Sequence, residues 1–308
     1  MSKPFFSVII PAYNQQDYIG RTLASVFSQT FTDFEVLVVD DGSTDDTVGE
    51  VLKSGYPVRV LQQTNQGPGA ARNHGISVAS GAFVAFLDGD DLWFPWTLSC
   101  FHEGLVANPA CEWIVGRCVQ FQEDGEIEEL LNRTVRGEVT ADFNRLQSFY
   151  ETSGNYFEIY TGEFAIKRDI LLDAGGYNEK MMNLEDGDLY LRLGVKTGIV
   201  EISNPVVFAY RRRRGSTSGN LDYALTACNL VLQKEAAGAY PGGKEQALNR
   251  LRIITRYVRP VVLQAIQRGR PDAAWRLFQR SWQANLRVGR IKYLLGVPLL
   301  CLKKCILG

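Results

Sequence analysis

The first ninety residues are built from short apolar runs, each halted by a polar or acidic turn and followed by a helical pattern. That alternation leaves few folds open. Phe6-Ser7-Val8-Ile9-Ile10 reads as a buried strand closed by Pro11, and Ile19, Leu23, Val26 and Phe27 follow at helical spacing. Phe34 to Val39 is a second strand, stopped at Asp40-Asp41-Gly42, after which Ser43 and Asp46 fit a capping box opening a helix through Leu52. Val58 to Leu61 is a third strand, and Gly67-Pro68-Gly69 starts a third helix, since proline is tolerated in a first turn. Phe83 to Leu87 is the fourth, ended by Asp88-Gly89-Asp90-Asp91. Strands apolar throughout belong to a mainly parallel sheet covered by helices on both faces. Right-handed crossovers make it an open α/β sheet.

Past about Pro95 the pattern loosens. Strands are expected within Trp113–Phe121, Phe164–Lys167 and Val206–Arg211, around a helix beginning near Glu185, and the chain reads as helical from about Asp222. The expected organisation is an α/β domain over 1–221 and a helical basic region over 222–308. At 308 residues the chain can bury a core without disulfide or metal staples. A net charge of −1 argues against a nucleic-acid partner. The average hides an asymmetry: from Lys244 onward only Glu245 and Asp272 offset fourteen lysines and arginines. Such a tail calls for a local anionic partner.

Six cysteines show no zinc-like spacing, and the chain runs from Met-Ser-Lys-Pro directly into a strand without a secretory pattern. The expectation is a cytoplasmic protein with reduced, packing cysteines, in which the sequon Asn132-Arg133-Thr134 has no meaning. Cys305-Ile306-Leu307-Gly308 has the outline of a prenylation box, but glycine is not a favoured ending. No apolar run reaches the ~18 residues that span a bilayer.

Ligands of open α/β sheets sit beyond the carboxyl ends of the strands. Tyr13 and Asn14 follow the first strand, Asp40 and Asp41 the second, Gln63 to Gln66 the third, and Asp88, Asp90 and Asp91 the fourth. Asp88-Gly89-Asp90 is the sharpest feature: two carboxylates can share a hard cation such as Mg²⁺ or Mn²⁺, whose shell is completed by phosphate and water. Gly89 leaves room for a diphosphate to approach. The plainer reading is a turn, because Asp and Gly are common turn formers; the position opposite Asp40-Asp41 is what strengthens the functional one. Asp40 and Asp41 can accept hydrogen bonds from a base or ribose, while the same stretch can also cap a helix. Dinucleotide and Walker-A glycine spacings are both absent.

These residues resemble family-2 glycosyltransferases of the GT-A fold. The similarity runs through Phe6–Asn14, Val38–Thr47, Ala70–Ile76, Phe86–Asp91, Gly175–Glu179 and Glu185–Arg192, about the first two-thirds of the chain. The resemblance implies an inverting transfer of a sugar from a nucleoside diphosphate sugar, often a UDP-sugar. It further implies that Pro11, Tyr13, Asp40 and Arg72 line the nucleotide, that Asp88 and Asp90 handle ribose and metal, and that Asp186 is the general base. An acceptor hydroxyl must lose its proton as it attacks, and with only His74 and His102 available a carboxylate is the natural base. Spacing alone favours another role for Glu185, Asp186 and Asp188: helix N-terminal charges, with Asp188 pairing to Arg192. The resemblance reverses that order for Asp186 and, less firmly, for Glu185.

Tyr210-Arg211-Arg212-Arg213-Arg214 can clamp the leaving diphosphate; Arg212 and Arg214 are taken as the candidates, since alternate residues of a strand end point opposite ways. A solvated basic loop is the equal alternative. The tail mixes cations with apolar residues in Arg250–Arg259 and Lys292–Leu295. It reads mostly as a helical cap on the catalytic domain, with contact to an anionic membrane face reserved for the last twenty residues. A lipid-linked or cell-surface glycan acceptor follows as an expectation. Without a Q-x-x-R-W motif or spanning helices, transfer of a single sugar is favoured over processive synthesis. Two other readings remain: a nucleotidyltransferase, and a nucleotide-sugar-binding protein without catalysis.

Overall fold

Phe6–Ala12 (β1) is buried along its whole length, as an apolar run covered on both faces requires. A computed structural model describes residues 3–122, 125–127, 140–154, 159–213 and 219–307. β1 pairs in parallel with Phe34–Asp40 (β2) on one side and Phe83–Phe86 (β4) on the other, and β2 pairs in parallel with Val58–Gln62 (β3). The intervening helices are Ile19–Phe27 (α1), Thr47–Lys53 (α2) and Pro68–Val78 (α3). In register, Ala12 lies opposite Asp40 and Asp40 opposite Gln62. Three strands therefore end at one level, which fixes the rim where the loops emerge.

The chain divides into two compact units. The first comprises Met1–Gln147, Glu158–Glu179 and Lys196–Arg214. Its eight-stranded sheet has the order β3-β2-β1-β4-β9-β6-β10-β8, where β6 is Cys111–Val115, β8 Asp142–Leu146, β9 Phe164–Lys167 and β10 Gly198–Asn204. β9 runs antiparallel to both its neighbours, and β8 is an antiparallel edge. Leu92–Trp93 (β5), Phe208–Arg211 (β11) and Cys118–Phe121 (β7) form a small second sheet. Helices Thr97–Ala107 (α4) and Arg168–Asp173 (α5) belong to the same unit.

Several local expectations changed in the fold. β1 does not stop at Pro11: it continues to Ala12, and the Pro11 carbonyl accepts a hydrogen bond from the Gly89 N–H at 3.3 Å. Proline removes one ladder donor and leaves the acceptor usable. Ser43 and Asp46 form no capping box. α2 starts at Thr47 with no side-chain cap from Asp46, because Ser43 Oγ instead accepts from the Asn14 N–H at 3.0 Å and ties two loops together. β5, β8 and β10 were not anticipated. Asp142–Leu146 is largely exposed and lacks the apolar run that signals a buried strand.

The second unit comprises Ser148–Phe157, Lys180–Val195 and Gly215–Gly308. It is helical: Glu185–Leu193 (α6), Leu221–Ala236 (α7), Ala247–Gln267 (α8), Pro271–Arg287 (α9) and Ile291–Leu307 (α10). Its interior includes Cys228 and Val231 of α7, Ile254, Val258 and Val262 of α8, and Ala274 and Leu277 of α9. Some tail cations are internal. Arg250 is 5% exposed, reaches both Glu235 oxygens at 2.7 and 3.1 Å, and donates to the Pro241 and Gly243 carbonyls. Five described cysteines are free thiols, four of them buried. The sequon at Asn132 lies outside the described residues, as do the side chains of the last four residues. No described helix is long and apolar enough to cross a membrane.

Candidate active site

The rim of the first unit gathers the loops after β1, β2, β3 and β4. Pro11 is buried within β1, whereas Tyr13 is 44% exposed and Asn14 adopts a left-handed conformation (φ 53°). Asparagine tolerates that region better than most residues. Here Asn14 Oδ1 accepts from the Thr44 N–H at 2.8 Å, pinning the β1 loop to the β2 loop and leaving the Tyr13 ring at the surface.

Asp40 and Asp41 are both 3% exposed but do different things. Among the described residues, Asp40 Oδ1 accepts one long bond, from the Ser43 N–H at 3.2 Å. Both Asp41 oxygens are committed to the protein: Oδ1 accepts from Gln63 Nε2 and the Gln66 N–H, and Oδ2 from the Gly67 N–H, all within 2.9 Å. A carboxylate so satisfied shapes the β3–α3 loop. Asp41 thereby braces the loop that carries Gln63 and Gln66. Gln66 keeps an exposed side chain and serves the loop through its backbone.

Arg72 is 3% exposed, lies 5.2 Å from the centre of the Tyr177 ring, and pairs with Asp88 at 2.7 Å. A cation so placed gains from the ring's negative face. Tyr177 is held in turn by Asn73, whose Oδ1 accepts from the Tyr177 N–H (2.7 Å) and whose Nδ2 donates to the Tyr177 carbonyl (2.9 Å) and to Glu179 (2.9 Å). Gly176 has φ 64°, and a Cβ there would collide with Asn73 Oδ1. Two motifs a hundred residues apart thus serve one purpose, aiming Arg72 at Asp88.

Gly89 packs closely within the protein. A Cβ would sit 3.3 Å from both Gln15 Cγ and Ile19 Cδ1, so the missing side chain lets the turn pack on α1. Its carbonyl accepts from Thr22 Oγ1 at 3.0 Å. Asp90 lies in ion-pair contact with Arg213 at 2.6 Å, and its carbonyl accepts from Arg211 Nε at 2.8 Å. Burial raises the Asp90 carboxyl, Arg213 opposes that and Asp88 adds to it. Asp91 is raised well above the carboxylate range by burial and then by Asp90 and Asp88; its Oδ1 accepts from the Arg211 N–H at 2.7 Å. Three guanidiniums, Arg72, Arg211 and Arg213, face the three carboxylates of this acidic turn.

Of the expected arginine clamp, Arg212 is exposed and Arg214 lies outside the described residues. Arg211 and Arg213 are the residues that meet the acidic turn, and both lie over the Tyr18 ring at 5.1 and 5.3 Å. The spacing of two is the available signal: β11 ends at Arg211, so residue 213 returns to the same side. Nothing in the local sequence marks Tyr18.

In the second unit, Glu185 and Asp186 open α6, behind Leu184 at φ 59°. Glu185 is 9% exposed, and Asp186 Oδ1 accepts from the Gly187 N–H at 2.6 Å. Asp188 is different. Fully buried, it bonds Lys234 (2.6 Å), Tyr240 (2.8 Å) and, at the expected i,i+4 spacing, Arg192 (2.9 Å). It is structural.

Compared with solved structures, the chain overlays S. aureus TarS 1–349 in complex with UDP-GlcNAc at a TM-score of 0.66, with 20% identity, over 97% of this chain and 88% of that one. It overlays the mannosyltransferase PcManGT from Pyrobaculum calidifontis, in complex with GDP-Man and Mn²⁺, at 0.54 with 19% identity, over 98% and 88%. The fold is that of the GT-A glycosyltransferases. The glycosyl transferase family 2 profile matches residues 7–172, more than half the sequence, and the chain belongs to that family. It is 47% identical over 130 residues to the uncharacterized glycosyltransferase YibD of Escherichia coli K12, covering 39% of this chain and 36% of that protein. It is 33% identical over 196 residues to a chondroitin synthase of Pasteurella multocida, covering 62% of this chain and 19% of the synthase. The chain thus spans well under half the length of these relatives.

Proposed function

We propose that the chain transfers one sugar from a nucleoside diphosphate sugar, with UDP as the carrier, to a hydroxyl of a glycan or lipid-linked acceptor, inverting the anomeric carbon. The observation that carries this reading is the convergence of Asp40, Asp88 and Asp90 on one rim, with Arg72 and Arg213 against the last two at 2.7 and 2.6 Å. Asp40, with one long internal bond, has acceptor capacity for a base or ribose. Tyr13, exposed beside it, offers a ring for the base. Arg72 holds Asp88 in place to accept from ribose. Arg213 and Arg211 supply positive charge where the diphosphate carries negative charge, an arrangement that favours the leaving group as its bond breaks.

The donor set fits a divalent cation. Among the described residues no three acidic, histidine or cysteine side chains could hold a metal ion, but Mg²⁺ and Mn²⁺ commonly take one or two carboxylates and complete their shell with phosphate and water. Asp88 and Asp90 would provide those carboxylates, in a turn where each is already within reach of an arginine. Bound there, the ion would act as a Lewis acid toward the diphosphate. Asp186 is proposed as the base that takes the acceptor proton, on the strength of its motif; Glu185 is the neighbouring carboxylate in that role.

The test is to offer the purified chain a panel of UDP- and GDP-sugars with and without Mn²⁺, reading thermal shift and nucleoside diphosphate release together. Stabilisation with release of UDP supports transfer. Pyrophosphate released from a nucleoside triphosphate would instead indicate a nucleotidyltransferase, and binding without turnover a non-catalytic carrier. A folded protein indifferent to every activated sugar would refute the reading.

A further inference from the structure

Helix α10 is apolar on two opposite faces. Tyr293, Val297 and Cys301 are buried, and the helix packs on α9 and α8. On the other side Ile291, Leu295, Leu299 and Leu302 recur at spacings of four, four and three, and they are 51, 66, 67 and 59% exposed. At about 100° per residue these four fall within an arc of about 80°, centred opposite the buried face. Lys292 and Lys303, both exposed, border the stripe on one side. α9 repeats the pattern: Trp275, Trp282 and Leu286 are 39, 44 and 50% exposed along one line, with Arg276, Arg280 and Arg287 to one side. After Asp272 the sequence holds seven lysines and arginines and no acid.

We infer that this leucine and lysine face of α10 docks in the plane of an anionic lipid membrane. A helix buried on one side ordinarily turns polar residues to water on the other. This one turns leucines outward and borders them with lysine, the combination that seats apolar side chains at the headgroup boundary while cations meet acidic lipid. Spanning is excluded for the described helices by length and hydropathy. A second copy of the chain is a poor occupant, because an isologous contact brings the same patch, which holds lysines and no acid to pair with them. The surface stands apart from the donor chemistry, since vesicle binding needs no sugar. It does give a lipid-linked acceptor a place to be met.

The experiment is flotation of the full chain with phosphatidylcholine vesicles and with vesicles containing phosphatidylglycerol, at low and high salt. The wild type is expected to float only with the anionic vesicles. Leu295→Glu with Leu299→Glu should abolish flotation by placing charge at the apolar boundary. Lys292→Gln and Lys303→Gln together should weaken it about thirtyfold, and raising the salt should also weaken the wild type. Both variants should keep the wild-type nucleotide-induced thermal shift, which shows that they fold. Wild type left at the bottom with anionic vesicles overturns the proposal. So does undiminished flotation of the Leu295→Glu, Leu299→Glu variant. A dimer by light scattering that the glutamates split, without vesicle binding, would assign the face to a second copy instead.

Discussion

Neighbouring carboxylates in this chain differ in role because their partners differ, and substitutions separate them. Asp188 is fully buried yet its carboxyl is held below the ordinary range: burial works against the charge, but Lys234, Arg192 and Tyr240 outweigh it. A depressed folded value means the unfolded chain binds more protons in acid. The stability contributed by Asp188 is therefore complete above the unfolded carboxylate value, about 3.9, and is lost as pH falls through the lower folded value. Asp188→Asn should cost about 2–3 kcal/mol at pH 7, since it removes a charged acceptor shared by Lys234, Arg192 and Tyr240, and flatten the acid limb of a Tm-versus-pH curve. Asp186→Asn, two residues earlier, should leave Tm and donor binding near wild type while lowering transfer by about 10²–10⁴-fold. Full activity in that variant would remove Asp186 from the chemistry.

Secondary-structure elements transmit these roles. α3 presents Arg72 to Asp88 only because Asn73, one residue on, grips both backbone groups of Tyr177. Asn73→Ala should destabilise the protein by roughly 2–3 kcal/mol through the unpaired groups it leaves, and it should weaken donor binding as Arg72 loses its ring. Wild-type affinity in a folded Asn73→Ala protein would show that Arg72 needs no such support. The parity of β11 yields a second expectation. Arg213→Gln should reduce transfer by about 10²-fold, the scale of losing one electrostatic donor, whereas Arg212→Gln on the exposed side should stay within about twofold of wild type. Equal effects would mean that the ion pair with Asp90 is not what positions the arginine during turnover.

For the protein as a unit in solution, ligand linkage is the sharpest readout. A nucleoside diphosphate present at a hundred times its Kd should add about 2.7 kcal/mol to stability. With Asp88 and Asp90 supplying only two carboxylates, chelation by EDTA should remove most of that gain, because diphosphate and cation complete one another's shells. A thermal shift unchanged by EDTA would mean that Arg72, Arg211 and Arg213 carry the anion alone. The excess of cations after Lys244 bears on a different partner, the lipid surface, and the two behaviours separate by ligand: one answers to nucleotide, the other to vesicle charge.

The linear pattern determined the α/β sheet, its first four strands and the acidic loops, because strand burial, helical spacing and turn chemistry are local properties written within ten or so residues. The places of Asp40, Asp88 and Asp90 at strand ends were legible for that reason, whereas Arg72 came from the family resemblance. Other choices waited for the tertiary structure. That Asp41 braces a loop depends on backbone N–H groups twenty-five and twenty-six residues away. That Arg211 and Arg213 meet the acidic turn depends on β11 closing a second sheet with β5, a pairing invisible in either two- or four-residue strand. The close packing of Gly89 on Gln15 and Ile19 is likewise a product of the fold. Partnership at a distance is a property of the folded surface, and no window of sequence contains both halves of it.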